Sequence, residues 1–169
     1  MLYNRFNLQY EHFILHESKI KAADIMITSV YSVRPNDQIL DVTKMLCKKK
    51  YSGAPVTTDN KELVGMLSEK DCIDAFLNSI YHNTPLSQVK DLMTRKVISV
   101  TEDTNILTLA HLFVSKGLRR IPVVRDGILV GQISRRDLLH YAIYIIEEPN
   151  SREASTLYLS ALDRDTPPF

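Results

Sequence analysis

Two short stretches hold the residues best placed to do chemistry, "GMLSEKD" (65–71) and "GQISRRD" (131–137). Each sets a serine three residues before an aspartate: Ser68 with Asp71, and Ser134 with Asp137. That spacing is a helix start, in which the hydroxyl caps the third backbone N–H and the carboxylate returns to the serine N–H. A helix start is also an anion site, because backbone N–H groups and the positive end of the helix dipole face outward there. A carboxylate beside it can accept both hydroxyls of a ribose. The same residues therefore suit a cap and a binding site, and the two uses do not exclude each other geometrically.

The charged neighbours separate the two stretches. After Ser134 come Arg135 and Arg136, in a first turn where the dipole disfavours cations. Arg119 and Arg120 stand just before a β-branched run, and five of the ten arginines fall within residues 119–137, against two acids, Asp126 and Asp137. They are either solvated surface arginines or a local phosphate clamp. After Ser68 come Glu69 and Lys70, and Ser52 and Gly53 stand before the matching run. Glu69 suits the dipole and would repel a phosphate, so phosphate is expected at the second stretch and the two corners are expected to be unequal.

A duplication sets the elements that must hold these residues. Residues 24–56 align without a gap on 91–123, pairing Asp24/Asp91, Met26/Met93, Val30/Val97, Val33/Val100, Ile39/Ile106, Pro55/Pro122 and Val56/Val123 as identities. One residue is lost in the next turn, and the match resumes with Val64/Val130, Gly65/Gly131, Ser68/Ser134 and Asp71/Asp137. Each copy predicts a strand (Val30–Val33; Val97–Val100) and a helix whose apolar positions begin at Ile39 or Ile106. A second strand ("APVTT"; "IPVVR") and a turn at Asp59-Asn60 or Asp126-Gly127 lead to a third strand ("LVGML"; "LVGQI"). A last helix then starts at Glu69 or Arg135. The strand–helix–strand part should run parallel and the last two strands antiparallel. One copy of roughly 50 residues is marginal for a private core. Two copies packed across a pseudo-twofold axis, with a cleft between them, would remove that difficulty.

Flanking the copies, residues 8–22 suggest a lead-in helix, and Thr84-Pro85 suggests the cap and first residue of a short entry helix. Asn150 three residues before Glu153 opens a tail helix with Ala154, Leu157, Tyr158 and Ala161 on one stripe, and "DTPPF" is expected to fray. That stripe could fold back or form an interface. The expected organisation is a lead-in helix (1–22), motif 1 (23–82), motif 2 with its entry helix (83–146), and a C-terminal helix and tail (147–169).

At this point the sequence resembles a tandem pair of cystathionine-β-synthase-type (CBS) motifs, together called a Bateman module. The resemblance is carried by Asp-x-Met before the first strand, "SGAPV" and "RRIPV" at the second, and Gly-x-x-Ser-x-x-Asp into the last helix, over about residues 20–146. It implies an α/β (α+β) fold of two pseudo-twofold-related β-α-β-β-α motifs in one module with flanking helices. It also implies a stand-alone regulatory module that binds an adenosine derivative and performs no chemistry itself. The implied ligands are AMP, ADP or ATP, with S-adenosylmethionine or a cyclic dinucleotide as alternatives. Modules of this family commonly pair into homodimers. By resemblance, the serine contacts phosphate or ribose and the aspartate holds the ribose diol. Arg119 and Arg120 match positions that often face phosphates, and backbone at Ser52 and Gly53 can approach the adenine ring. A structural adaptor with vacant clefts, docking a regulated protein partner, is the competing class.

Composition narrows the remaining classes. The chain has 169 residues, is 44% hydrophobic and carries a net charge of +1, which supplies no long-range field suited to nucleic acid or an anionic membrane. No segment approaches 18 consecutive apolar residues, and "MLYNRFNLQYEHF" lacks the basic start and apolar run of a secretory signal, so a cytoplasmic location is expected. Cys47 and Cys72 have no CxxC spacing and read as small core residues in a reducing compartment. His12 and His16 are four apart but lack a third ligand, so no metal is expected. Lys48, Lys49 and Lys50 suit a helix end, and His82, His111 and His140 carry no motif. No nucleophile–base pair, P-loop or Gly-rich dinucleotide fingerprint appears, so catalysis is not expected and no cofactor is required beyond the regulatory nucleotide.

Overall fold

In the computed structural model, which describes residues 20–147, the apolar spacings at Ile39 and Ile106 form helices. In chain order the elements are α1 (Ala22–Ile25), α2 (Ile39–Lys49), β1 (Gly53–Thr57), β2 (Leu63–Ser68), α3 (Glu69–His82) and α4 (Val89–Leu92). The second copy supplies α5 (Ile106–Ser115), β3 (Arg120–Arg125), β4 (Ile128–Ser134) and α6 (Arg135–Glu147). Helix α2 buries Ile39, Val42 and Leu46, and α5 buries Ile106, Leu109 and Phe113, the faces that the spacing predicts. Helix α2 stops at Lys50, whose φ of 54° is left-handed, with Lys48 and Lys49 in the last turn against the negative end of the dipole. The three lysines are a helix end. His12, His16, most of the expected 8–22 helix and the tail helix opened by Asn150 lie outside the described residues.

Each copy closes a hairpin. Strands β1 and β2 pair antiparallel from Gly53 opposite Ser68 to Thr57 opposite Leu63, and β3 pairs with β4. The second hairpin turns through Asp126 and Gly127, at φ 51° and 80°, the two left-handed residues that a tight two-residue turn requires.

The first strands are shorter than the β-branched runs suggest. Each is reduced to a single parallel bridge, Val33 to Val56 and Val100 to Val123. Prolines set the limit. The Val33 N–H donates to the Pro55 carbonyl at 3.0 Å, and the Val33 carbonyl accepts the Thr57 N–H at 2.9 Å. The next rung would need an N–H from Pro55 on one side and from Pro35 on the other, and neither has one. Pro122 stops the Val100 ladder in the same way on its N-terminal side.

The entry helix also starts later than Thr84-Pro85 suggests. Helix α4 begins at Val89, where the Asp91 carboxylate accepts the Gln88 N–H at 3.0 Å. The preceding residues are committed elsewhere. The Ser79 hydroxyl donates to the Thr84 carbonyl at 2.6 Å, closing α3, and the Ser87 carbonyl accepts the Ile39 N–H at 3.2 Å.

The chain divides into two compact units, and each draws on both copies. One comprises Val30–Ser99 with Val124–Val130. Its core runs through Val33, Ile39, Leu46, Val56, Leu67 and Cys72 and is closed by Val89 and Met93. Burial pushes the Cys72 thiol up from its ordinary range, which keeps it protonated and unreactive at neutral pH, whereas Cys47 is exposed. Tyr31 and Tyr51 cover the edge of this core, with the Lys49 ammonium 5.7 Å and 5.9 Å from their ring centres. The other unit contains, among described residues, 20–29, 100–123 and 131–147, and buries Ile25, Leu109, Ile121, Val123 and Ile133.

Candidate functional site

Each candidate corner forms where a hairpin strand ends and a helix begins. In the first, Gly53 of β1 pairs with Ser68 at the end of β2, and the Glu69 N–H donates to the Ser52 carbonyl at 3.1 Å. In the second, the Arg135 N–H donates to the Arg119 carbonyl at 3.2 Å, and Arg120 opens β3. The backbone thus brings Ser52 and Gly53 to Ser68 and Asp71, and Arg119 and Arg120 to Ser134 and Asp137.

Both capping boxes form. The Asp71 N–H donates to the Ser68 hydroxyl at 3.3 Å, while Asp71 Oδ2 accepts the Ser68 N–H at 2.8 Å and its hydroxyl at 2.7 Å. The Asp137 N–H donates to the Ser134 hydroxyl at 3.3 Å, and Asp137 Oδ2 accepts the Ser134 N–H at 2.6 Å. In each case Oδ2 alone serves the cap, and Oδ1 has no hydrogen-bond partner among the described residues. The first and third N–H groups of each helix are also used. Each helix start therefore has fewer N–H groups to offer an anion than the sequence suggests, with that of the second residue, Lys70 or Arg136, remaining.

The other expected site residues fall into different roles. Arg119, Arg135 and Arg136 are exposed and Arg120 is half-buried. The Arg135 Nε–H donates to the Leu118 carbonyl, which fastens the loop before β3 to the start of α6. Glu69 and Lys70 are exposed. Gly53 has a structural reason of its own: at φ 156°, a Cβ there would lie 2.5 Å from the Leu67 carbonyl oxygen. The glycines that open the two motifs are packed instead by methionines. A Cβ on Gly65 would lie 2.5 Å from the Met93 sulfur, and one on Gly131 2.5 Å from the Met26 sulfur. The Asp-x-Met of each copy therefore seats on the Gly-x-x-Ser-x-x-Asp of the other. Backbone pairs reinforce this, Ile27 with Gln132 and Thr94 with Met66, through N–H···O bonds of 2.9–3.0 Å.

Two polar features go beyond the sequence-derived set. The Arg34 guanidinium donates to the buried Thr57 hydroxyl at 2.7 Å and to the carbonyls of Thr57 and Thr58, and its Nε lies 3.2 Å from Asp59. This cluster is absent from the second copy, where Thr101 and Val124 take the equivalent positions. The second is Gln132, buried in β4 where the first copy has Met66. That mismatch between otherwise matched strands is visible in the sequence. Among the described residues, no group of three His, Cys, Asp or Glu could hold a metal ion, and no helix is long and apolar enough to cross a membrane.

Residues 22–78 and 89–144 each match the CBS domain. The chain belongs to the CBS-domain family. It is a tandem CBS module of mixed helix and strand. It is 31% identical to the uncharacterized protein MJ1225 of Methanocaldococcus jannaschii over 137 residues, 81% of this chain and 48% of that protein. This CBS chain thus spans about half the length of that relative, and 89% of a second from the same organism, the uncharacterized protein MJ1426, to which it is also 31% identical over 71% of its own length. Among solved structures, it superposes on CBSX2 from Arabidopsis thaliana in complex with AMP, with a TM-score of 0.68 and 32% identity, covering 75% of this chain and 98% of that one.

Proposed function

We propose that this CBS module binds an adenine nucleotide (AMP, ADP or ATP) as a regulatory signal, with the corner at Ser134 and Asp137 as the phosphate-binding one. The observation that carries this is the division of labour in Asp137. One carboxylate oxygen holds the helix cap, and the other has no partner among the described residues, at a corner where Arg135 and Arg136 open the helix and the Arg119 carbonyl, next to Arg120 in the chain, accepts the Arg135 N–H. The free oxygen receives the ribose hydroxyls, while Arg119, Arg120 and the Arg136 N–H meet the phosphates. Ser68, Asp71, Ser52 and Gly53 form the weaker corner, where Glu69 opposes an anion. Binding acts by favouring one arrangement of the module over another, which requires a difference in affinity between them. The relation to CBSX2, a protein crystallised with AMP, supports the ligand class.

Titration calorimetry with AMP, ATP and adenosine tests it. Arg120→Ala is expected to weaken AMP about tenfold or more, the loss of one charge-assisted hydrogen bond, and to leave adenosine nearly unchanged. Equal losses for AMP and adenosine, or none, would exclude the phosphate assignment. Absence of binding by every adenosine compound would overturn the function.

A second property has its own observation. Helix α3 exposes Ile73, Leu77, Ile80 (74%) and Tyr81 (79%) along one stripe, and α6 exposes Leu139 and Ile143 at the equivalent positions of the second copy. A stripe that occurs twice in matched positions suits a twofold partner, so we assign it to a homodimer. Light scattering should give twice the chain mass for the wild type and the chain mass for Ile80→Asp with Leu139→Asp; a monomeric wild type would exclude the dimer.

A further inference from the structure

Strand β4 contains one residue that neither the cap nor the core explains. Gln132 is 3% exposed and, with Thr57, one of two buried polar residues among those described. The Thr57 hydroxyl is satisfied, because it accepts from Arg34 and donates to the Ser32 hydroxyl at 3.1 Å. Gln132 Oε1 is enclosed and has no hydrogen-bond partner among the described residues. A buried amide oxygen left in that state is a cost to folding. The first copy avoids it with Met66, so the fold does not require glutamine at this position.

The strand fixes which face of β4 that side chain takes. Successive side chains alternate across a strand. Ile133 is fully buried, and its counterpart Leu67 lies in the core under α2 and α3, so Ile133 takes the helix side of β4. Gln132 and Ser134 then share the opposite face. The backbone of Gln132 cannot turn, since it is bonded to Ile27 in both directions at 3.0 Å. Its side chain therefore lies on the face of β4 that ends in the Ser134–Asp137 cap, about 7 Å back along the strand. That separation is comparable with the span from a ribose to the far edge of a purine.

We propose that Gln132 selects adenine, its Oε1 accepting a hydrogen bond from the exocyclic amine of a nucleotide whose ribose is held by Asp137. The proposal rests on the nucleotide-binding function above and adds the residue that reads the base. Adenine presents an N–H donor at that edge, and purine riboside presents none. A site with a buried acceptor rejects the analogue that lacks the donor, because the acceptor is then left unpaired. The corner at Ser68 and Asp71 has no such reader, as Met66 can only pack.

The test compares AMP with purine riboside 5′-monophosphate on the full chain by calorimetry, in wild type and in Gln132→Met, the residue that the first copy uses. Wild type should prefer AMP about tenfold or more at its tighter site, and Gln132→Met should bring the two within about threefold. Melting of the ligand-free proteins provides the folding control, with Gln132→Met at or above wild type because it removes a buried unpaired oxygen. An unchanged AMP preference in the variant, or no preference in wild type that still binds AMP, would overturn the base-reading role while leaving nucleotide binding intact. A variant that melts well below wild type would also overturn it, by showing that the amide has a structural partner. Failure of wild type to bind AMP would instead remove the function on which the proposal rests.

Discussion

Asp137→Ala is expected to lower affinity for AMP about a hundredfold, whereas Asp71→Ala lowers it less than tenfold. Both substitutions delete the same cap, worth about 1 kcal/mol, so their ligand-free melting points should fall by similar amounts. Both carboxylates keep Oδ1 outside the cap, so their effects on binding differ through the charges that surround them and the load on Oδ2. Asp71 Oδ2 accepts both the N–H and the hydroxyl of Ser68, and Glu69 follows in the same turn. Asp137 Oδ2 takes only the Ser134 N–H in the cap, and Arg135 and Arg136 follow. Hydrogen bonds to a charged acceptor contribute about 1.5–3 kcal/mol each, so losing the ribose diol from Asp137 amounts to about 3 kcal/mol, or two orders of magnitude. Asp137→Asn separates the two jobs, since its amide oxygen still accepts the Ser134 N–H and should restore the melting point while leaving affinity depressed. Calorimetry and thermal melts on the four proteins decide the matter. Equal affinity losses at the two positions would mean that the corners are not unequal, and an unchanged affinity in Asp137→Ala would place the ribose elsewhere.

What the sequence made legible was mostly what is local. The starts of α3 and α6, the buried faces of α2 and α5 and the turn at Asp126-Gly127 all follow from residues within a few positions of one another, and all form as expected. Features that depend on a distant partner were not legible. The β-branched runs at Val30 and Val97 look like full strands, and only their register against β1 and β3 reveals that Pro55 and Pro122 face them with no N–H to give. The same holds for Thr84-Pro85, a plausible helix start until Ser79 claims Thr84. The seating of Met26 on Gly131 and Met93 on Gly65 explains why both motifs contain that glycine and that methionine, yet nothing in either stretch says that the partners are exchanged between copies. At the candidate site, the grouping of these residues at two corners was legible and their hydrogen bonds were not. Whether Ser-x-x-Asp is a cap or a site is decided atom by atom, one carboxylate oxygen at a time. The replacement of Met66 by Gln132 was in plain view, but its meaning depends on burial and on an oxygen with no partner.

Gly53→Val is expected to cost about 3–5 kcal/mol of stability, a large part of the roughly 5–15 kcal/mol available to a domain of this size. Two physical terms combine. The backbone at φ 156° is open to glycine and strained for a side chain, on the order of 1–3 kcal/mol. The first carbon of any side chain would lie 2.5 Å from the Leu67 carbonyl oxygen and 3.1 Å from the Ser68 Cα. Neither neighbour can yield easily, because Ala54 pairs with Leu67 and the Leu67 side chain is fully buried in the core. Overpacking of that kind typically adds about 1–3 kcal/mol. Gly117→Val supplies the contrast, since Gly117 also has a positive φ, of 64°, but nothing lies within 4 Å of its Cβ position. It should cost only the backbone term, about 1–2 kcal/mol. Urea unfolding of the two variants against wild type measures both, and the difference between them isolates the close approach of β1 to β2. That approach sets Ser52 beside Glu69, so Gly53→Val should also shift the corner at Ser68 and leave the one at Ser134 standing in any fraction that remains folded. If the two valine variants lose equal stability, the tight seam between β1 and β2 is not what requires glycine at position 53, and the backbone approach of Ser52 and Gly53 to a ligand becomes the better explanation.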